Sequence, residues 1–206
     1  QSDYGNLLRF WNFLPQINCG GGDLEAYRRF CTARLHAFRC ANIRDGDFPA
    51  ASAVGHQQHS FTLIALSSQL AIRHHANPLQ VDAYRYPRQY GPSSPSFARA
   101  SSVELPAGTA YFVSGTASIV GHESRHSGDL IKQLFVTKSN IIKLLDGADL
   151  FLSDVSSMRI YLRNASDFDE CKAFVEEAFP GVDAVFLHAD ICRKELLVEI
   201  ECICTA

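Results

Sequence analysis

Residues 183–201, DAVFLHADICRKELLVEIE, constrain the fold more than any other stretch, because they alternate with a period of two. Val185, Leu187, Ala189 and Ile191 are apolar, while Phe186, His188, Asp190 and Cys192 are mostly polar or chemically functional. Further on, Leu196, Val198, Ile200 and Cys202 form an apolar row opposite Leu197, Glu199 and Glu201. Alternation of this kind is the signature of half-buried strands. The charged Arg193-Lys194-Glu195 between the two runs reads as a short connection, which predicts an antiparallel hairpin. In such a hairpin Cys192, His188 and Glu199 are able to share a face.

The remaining composition sets the class. The 206-residue chain is 47% hydrophobic and 20% charged, as in soluble globular proteins that bury one large core or two small ones. A net charge of -3 and a pI near 6.2 argue against nucleic acid as the main ligand, since phosphate binding needs a clustered basic surface. No apolar run approaches the roughly 18 residues of a membrane span, so no membrane partner is expected. Seven cysteines without a CxxC spacing point away from a disulfide scaffold or structural zinc and toward reduced thiols in the cytoplasm. The chain opens on Gln1 in what reads as the middle of a fold, with no initiator Met or signal peptide, and an N-terminally truncated polypeptide is the expectation.

Along the chain, residues 7–14 read as a strand or short buried segment, ended by Pro15. Asp23 is placed to cap a helix over 24–38 with apolar residues at Tyr27, Phe30, Cys31, Leu35 and Phe38. Residues 48–67 read as two short strands around a His/Gln turn. Residues 77–99 are punctuated by Pro78, Pro87, Pro92 and Pro95, and a structureless run of this length is either functional or a Pro-rich linker. From Thr109 the order is strand, helix, strand, helix, strand, strand. Helices are predicted over 130–145, with Gly147 near its C-cap, and over 167–179, capped by Ser166. The unit RFWNFL, helix, Phe48-Pro49, two strands is echoed by MRIYL, helix, Phe179-Pro180, two strands. Two tandem α+β units are therefore expected, an incomplete one with its connecting segment over 1–95 and a complete one over 96–206.

Residues 96–206 resemble the YjgF/RidA-type (chorismate-mutase-like) fold, a β-sheet packed by helices, whose members are often trimers. That resemblance implies an α+β architecture, homo-oligomeric or pseudo-trimeric packing, and a water-handling role for Glu199. The substrate-binding arginine of the family's imine deaminases falls on Ala184 here, which opposes deamination. Over nearly the whole chain, RFWNFLPQIN (9–18), YRRFCTAR (27–34), YRYPRQYGPSSPSFARA (84–100), SGTASIVGHES (114–124) and HADICRKELLVEIE (188–201) together resemble the bacterial chorismatases. That family splits chorismate into pyruvate and a cyclic acid without a cofactor or metal. The resemblance implies that Glu199 is the catalytic carboxyl group. It also implies that Cys192, seven residues earlier, marks the members releasing 3-hydroxybenzoate, alone or with 4-hydroxybenzoate.

The residues suit that chemistry. Cleaving an enol ether needs an acid to protonate its methylene carbon, and a carboxyl group raised by apolar surroundings and a like-charged neighbour supplies one. Val198, Ile200 and Glu201 flank Glu199 in this way, although spacing alone equally allows a carboxylate edging a sheet. Two substrate carboxylates call for arginine forks. Arg34, Arg85 and Arg99 are the candidates, with Arg99 between small and apolar neighbours and the other two also readable as surface residues. Tyr90 offers a phenolic hydrogen bond. Ser114, Gly115, Thr116 and Ala117 would bring backbone close to a ligand, or form a plain turn. Cys192 serves either as a small polarisable wall or as a buried inert thiol. His122 and His126 have i, i+4 spacing, but no third ligand is placed and no metal is expected. A non-catalytic small-acid-binding module stands as the alternative from another class.

Overall fold

The computed structural model describes residues 5–206. In chain order the elements are β1 (Asn6–Pro15), α1 (Ala26–Cys40), β2 (Ala50–His56), β3 (Thr62–Ser68), β4 (Ile72–His75), β5 (Ala100–Leu105) and β6 (Gly108–Val113). The two-residue strands β7 (Thr116–Ala117), β8 (Ile119–Val120) and β9 (Glu123–Ser124) follow. Then come α2 (Leu130–Asp146), β10 (Val155–Leu162), α3 (Phe168–Ala178), β11 (Asp183–His188) and β12 (Val198–Thr205). Residues 76–99 hold only short turns of 3₁₀ helix, as the prolines there predict.

Two sheets carry the chain. In the first, of order β2-β1-β3, β1 runs parallel to β2 and antiparallel to β3. The second follows β11-β10-β12-β6-β5-β4, and there β10 runs parallel to β11 and antiparallel to β12. The same strand-helix-strand-strand order, with the same pairing, therefore occurs twice. β4, which precedes residue 96, joins the second sheet through β5, so that sheet crosses the 95/96 division.

The expected hairpin does not form. β11 and β12 lie on opposite edges of β10 and never pair with each other. The helical crossover through α3 returns β11 parallel to β10, which leaves the other edge of β10 for β12. Alternation specifies which face of a strand is buried but not which strand is its neighbour. The strands around the His/Gln turn, β2 and β3, likewise flank β1.

Two predicted caps also differ. α1 begins at Ala26, and Asp23 instead accepts two hydrogen bonds from the Arg88 guanidinium, at 2.9 and 2.6 Å. α3 begins at Phe168, with Ser166 inside a preceding 3₁₀ turn (Ala165–Asp167) and without a capping bond. α2 is capped by Asp129, whose side chain accepts from the Lys132 backbone N–H at 3.0 Å.

The two faces of β12 divide the labour. Val198, Ile200, Cys202 and Cys204 pack into the main core with Leu134, Ile141 and Leu144 of α2 and with Ile160 of β10. Glu199 and Glu201 point the other way, where Glu201 meets Arg9, Trp11 and Ser52 of the first sheet. Because Ile160 sits at the centre of that core with no exposed surface, Ile160→Ala should lower the unfolding free energy by about 2–5 kcal/mol in urea titrations. A loss below about 0.5 kcal/mol would contradict a close-packed interior there.

Candidate active site

Glu199 lies in the seam between the two sheets. On β12 it stands opposite Tyr161 of β10 and Ala117 of β7, and it is 4% exposed. Its carboxyl occupies the volume that a side chain at position 115 would need: a Cβ on Gly115 would overlap Glu199 Oε1 and crowd Ser52 Oγ. Glycine is required here for close approach.

Two residues further along the same face, Glu201 is saturated with donors. It accepts from Arg9 Nη2 at 2.6 Å, Trp11 Nε1 at 2.9 Å and Arg159 Nη1 at 3.0 Å, and also from Ser52 Oγ. Glu199, by contrast, has no hydrogen-bond partner among the described residues. Burial pushes its carboxyl up to about 8, the negative charge of Glu201 adds to the rise, and the Arg9 guanidinium opposes it. Glu199 therefore carries a proton at neutral pH, in a position to give it away. Cys192 is pushed up to about 12, by burial first and then by Glu199. Its sulfur is a neutral thiol, which fits a wall and not a nucleophile.

Two neighbouring spaces are lined by Glu199. An outer cavity of about 320 Å³ is lined by Tyr27, Tyr86, Tyr90, Phe97, Arg99, Arg193 and others, with Gly115, Ala117, Cys192 and Glu199 at its floor. An inner space of about 30 Å³ shares Tyr27, Phe97, Gly115, Cys192 and Glu199 and adds Arg34 and Ser52. Arg34, 8% exposed, lies over the rings of Phe30 and Phe97 at 4.8 and 6.0 Å. Arg99 Nη2 donates to the Val81 carbonyl and to the Tyr86 hydroxyl, both at 2.7 Å. Among the described residues, Nε and Nη2 of Arg34 and Nε of Arg99 have no hydrogen-bond partner, and neither guanidinium has a carboxylate partner. Buried donors left unsatisfied are costly, and an incoming carboxylate would relieve them.

The other predicted residues divide. Gly115, Ala117 and Tyr90 line the outer cavity, with the Tyr90 hydroxyl 3.2 Å from His122 Nδ1. Ser114 and Thr116 do not line it. The Ser114 hydroxyl donates to the Ala98 carbonyl at 2.6 Å and accepts from the Ala51 backbone N–H at 2.9 Å, which ties the two sheets together. Thr116 Oγ1 donates to the Ser114 carbonyl at 2.8 Å. Arg85 lies outside both spaces, its side chain 71% exposed and paired with Asp82 at 3.6 Å, because the turn at 83–85 (Ala83–Arg85) aims it at solvent. His188 is exposed and bonds the Arg163 carbonyl. Arg193 went unrecognised in the sequence, where it read as part of a charged connection. Its guanidinium lies 3.9 Å from the centre of the Tyr90 ring and 5.2 Å from that of Tyr86, and it donates to the His122 carbonyl and to Ser124 Oγ.

Residues 1–67 match a family model described as the N-terminal part of FkbO/Hyg5-like chorismatases. A 3-hydroxybenzoate synthase of Streptomyces hygroscopicus is 39% identical over 96% of this chain and 63% of its own length. A crystal structure of a chorismatase superposes with a TM-score of 0.91 at 33% identity, covering 98% of this chain and 65% of that one. This chain is similar to the chorismatases over nearly all of its own length. It spans less than two thirds of the length of the relatives it matches. The α+β arrangement shared with the chorismatase structure is YjgF/RidA-like, and yeast YEO7 reproduces it over 66% of this chain and 98% of its own, with a TM-score of 0.54 at 15% identity.

The raised Glu199 carboxyl has a thermodynamic consequence. Its folded value of about 8 lies above the ordinary 4.5, so between those values the native state binds more protons than the unfolded one. Its contribution is therefore lost as pH rises through that window. Thermal melts of Glu199→Gln and the parent should nearly coincide near pH 4.5, and the variant should melt higher at pH 9. An equal or lower melting temperature for the variant at pH 9 would show that the carboxyl is not raised.

Proposed function

We propose that this cavity cleaves the enolpyruvyl ether of chorismate to pyruvate and 3-hydroxybenzoate, alone or with 4-hydroxybenzoate, with Glu199 as the general acid. The observation that carries this reading is a buried carboxyl group, protonated at neutral pH, lining the same spaces as Arg34 and Arg99; among the described residues neither it nor they have a partner of opposite charge. Chorismate presents two carboxylates and an acid-labile enol ether. One carboxylate is assigned to Arg99 and Arg193 in the outer cavity, beside the Tyr86 and Tyr90 hydroxyls, and the other to Arg34. Glu199 then delivers its proton to the methylene carbon, the bond between the ether oxygen and the ring breaks, and pyruvate departs with that oxygen. Where the neighbouring ring hydroxyl closes on the vacated carbon and returns its proton to Glu199, opening of the resulting epoxide, with the ring proton passing to its oxygen, gives 3-hydroxybenzoate; where a ring proton is lost directly to Glu199, the product is 4-hydroxybenzoate. Either product and pyruvate together contain the atoms of chorismate. The relative named 3-hydroxybenzoate synthase supports this product over a dihydroxy acid.

Further features support the remaining assignments. The seven cysteines are all free thiols, which favours a reducing, cytoplasmic setting. The exposed apolar residues Leu63, Ile64 and Leu66 of β3 favour an assembly of copies.

Purified protein incubated with chorismate should release pyruvate, read by a coupled dehydrogenase, together with 3-hydroxybenzoate on chromatography. Turnover should fall as pH rises through about 8, where Glu199 loses its proton. Glu199→Gln should reduce kcat by about 10²–10⁴-fold while chorismate still binds in calorimetry. Arg34→Met should instead weaken binding by about 10–100-fold, the worth of a hydrogen bond to a charged group. Chorismate binding without pyruvate from the parent protein would leave a small-acid-binding module.

A further inference from the structure

Cys192 and Arg193 reach the cavity from a segment of irregular structure, 189–197, between β11 and β12. Such a segment keeps a fixed shape only if other groups hold it. One side chain does most of this. Arg163, the first residue after β10, donates from Nε to the Leu196 carbonyl at 2.8 Å and from Nη1 to Asp190 Oδ1 at 2.6 Å and Asn18 Oδ1 at 3.1 Å. Its Nη2 donates to the carbonyls of Ile191 at 2.9 Å and Arg193 at 3.0 Å, the residues on either side of Cys192. Five bonds match the full donor capacity of a guanidinium. The backbone N–H of Arg163 adds a bond to the Leu197 carbonyl at 2.9 Å. From the opposite side, Gln133 of α2 donates to the Glu195 carbonyl at 2.9 Å and accepts from the Leu197 backbone N–H at 2.8 Å. Neither Arg163 nor Gln133 lines the outer or the inner space.

We propose that Arg163 is a positioning residue: by shaping the segment around Cys192 it sets how tightly the wall closes beside Glu199, and thereby which acid leaves the cavity. This rests on the chorismate reading above. The two outcomes differ by one water. Loss of pyruvate without water gives hydroxybenzoate, with Glu199 reprotonated from the ring. Capture of the cation by water, followed by loss of pyruvate, gives a dihydroxy acid, with Glu199 reprotonated from that water. A wall held against the carboxyl excludes the water, and a loosened wall admits it.

Arg163→Lys keeps the charge but offers donors from a single nitrogen, which cannot fork to five acceptors. The test compares the parent, Arg163→Lys, the milder Asn18→Ala and Cys192→Ala. In Arg163→Lys the dihydroxy acid share should rise by about threefold or more, and alkylation of Cys192 by iodoacetamide, mapped by mass spectrometry, should quicken by about fivefold. Asn18→Ala removes one partner of Arg163 and one bond to the Ile191 carbonyl, made by Asn18 Nδ2 at 3.0 Å. It should move both readouts in the same direction by less, and it carries the test if Arg163→Lys does not fold. Adding Arg163→Lys to Cys192→Ala should leave the product ratio of the single cysteine variant unchanged, since the two act through one wall. Unchanged product ratio and unchanged alkylation in folded variants would overturn the proposal. Should the parent fail to turn over chorismate, the chorismate reading falls, and the alkylation rates alone decide whether Arg163 positions Cys192.

Discussion

The ion pair between Arg9 and Glu201 joins the two sheets beside the candidate site. Arg9 is 1% exposed and shares its Nη2 between Glu201 and Ser52, so a residue from each of β1, β2 and β12 meets in one hydrogen-bonded knot. Buried pairs of this kind contribute little net stability against an apolar alternative, but losing one partner costs about 3–5 kcal/mol because the other charge is stranded. The pair therefore acts mainly to fix register. It holds the glutamate face of β12 against the first sheet, which buries Glu199 and sets the Glu201 carboxylate beside it. The same knot that assembles the two halves thus helps to bury the neighbouring carboxyl, and of its two charges Glu201 adds to the rise while Arg9 opposes it.

Two carboxylates separated by one residue end up with opposite roles through their partners alone. Glu201 has four donors, and Glu199 has none among the described residues. Both are buried, but only Glu201 is met by donors. The missing side chain at Gly115 completes the difference, because it makes room for a carboxyl without supplying a donor to it.

Much of this was legible in the sequence. Period-two alternation placed Glu199 and Glu201 on one face of β12 and the apolar row on the other, and the repeated strand-helix-strand-strand unit appeared as a repeated sheet order. Strand neighbours were not legible, since alternation carries no information about which edge is filled, and so the predicted hairpin gave way to two strands flanking β10. Arg85 was misjudged because a motif match fixes a position in the chain and not the direction of a side chain on a 3₁₀ turn. Arg193 was missed for the converse reason: within Arg-Lys-Glu it looks like a solvated connection, and only its approach to Tyr90 distinguishes it. Arg163 had no sequence signal at all, because its partners are mostly backbone carbonyls.

The position of β12 bears on how the protein is made. It follows every other described strand in sequence, yet it lies inside the second sheet, between β10 and β6. Until it emerges during synthesis, β10 and β6 have no common neighbour, and an apolar slot facing α2 stays open. Contacts so distant along the chain form slowly. A nascent chain stalled before residue 198 would thus expose the interior of its largest sheet, an aggregation hazard of the kind chaperones guard. The acid group and the strand that seals the core arrive together, so a partly synthesised chain holds neither.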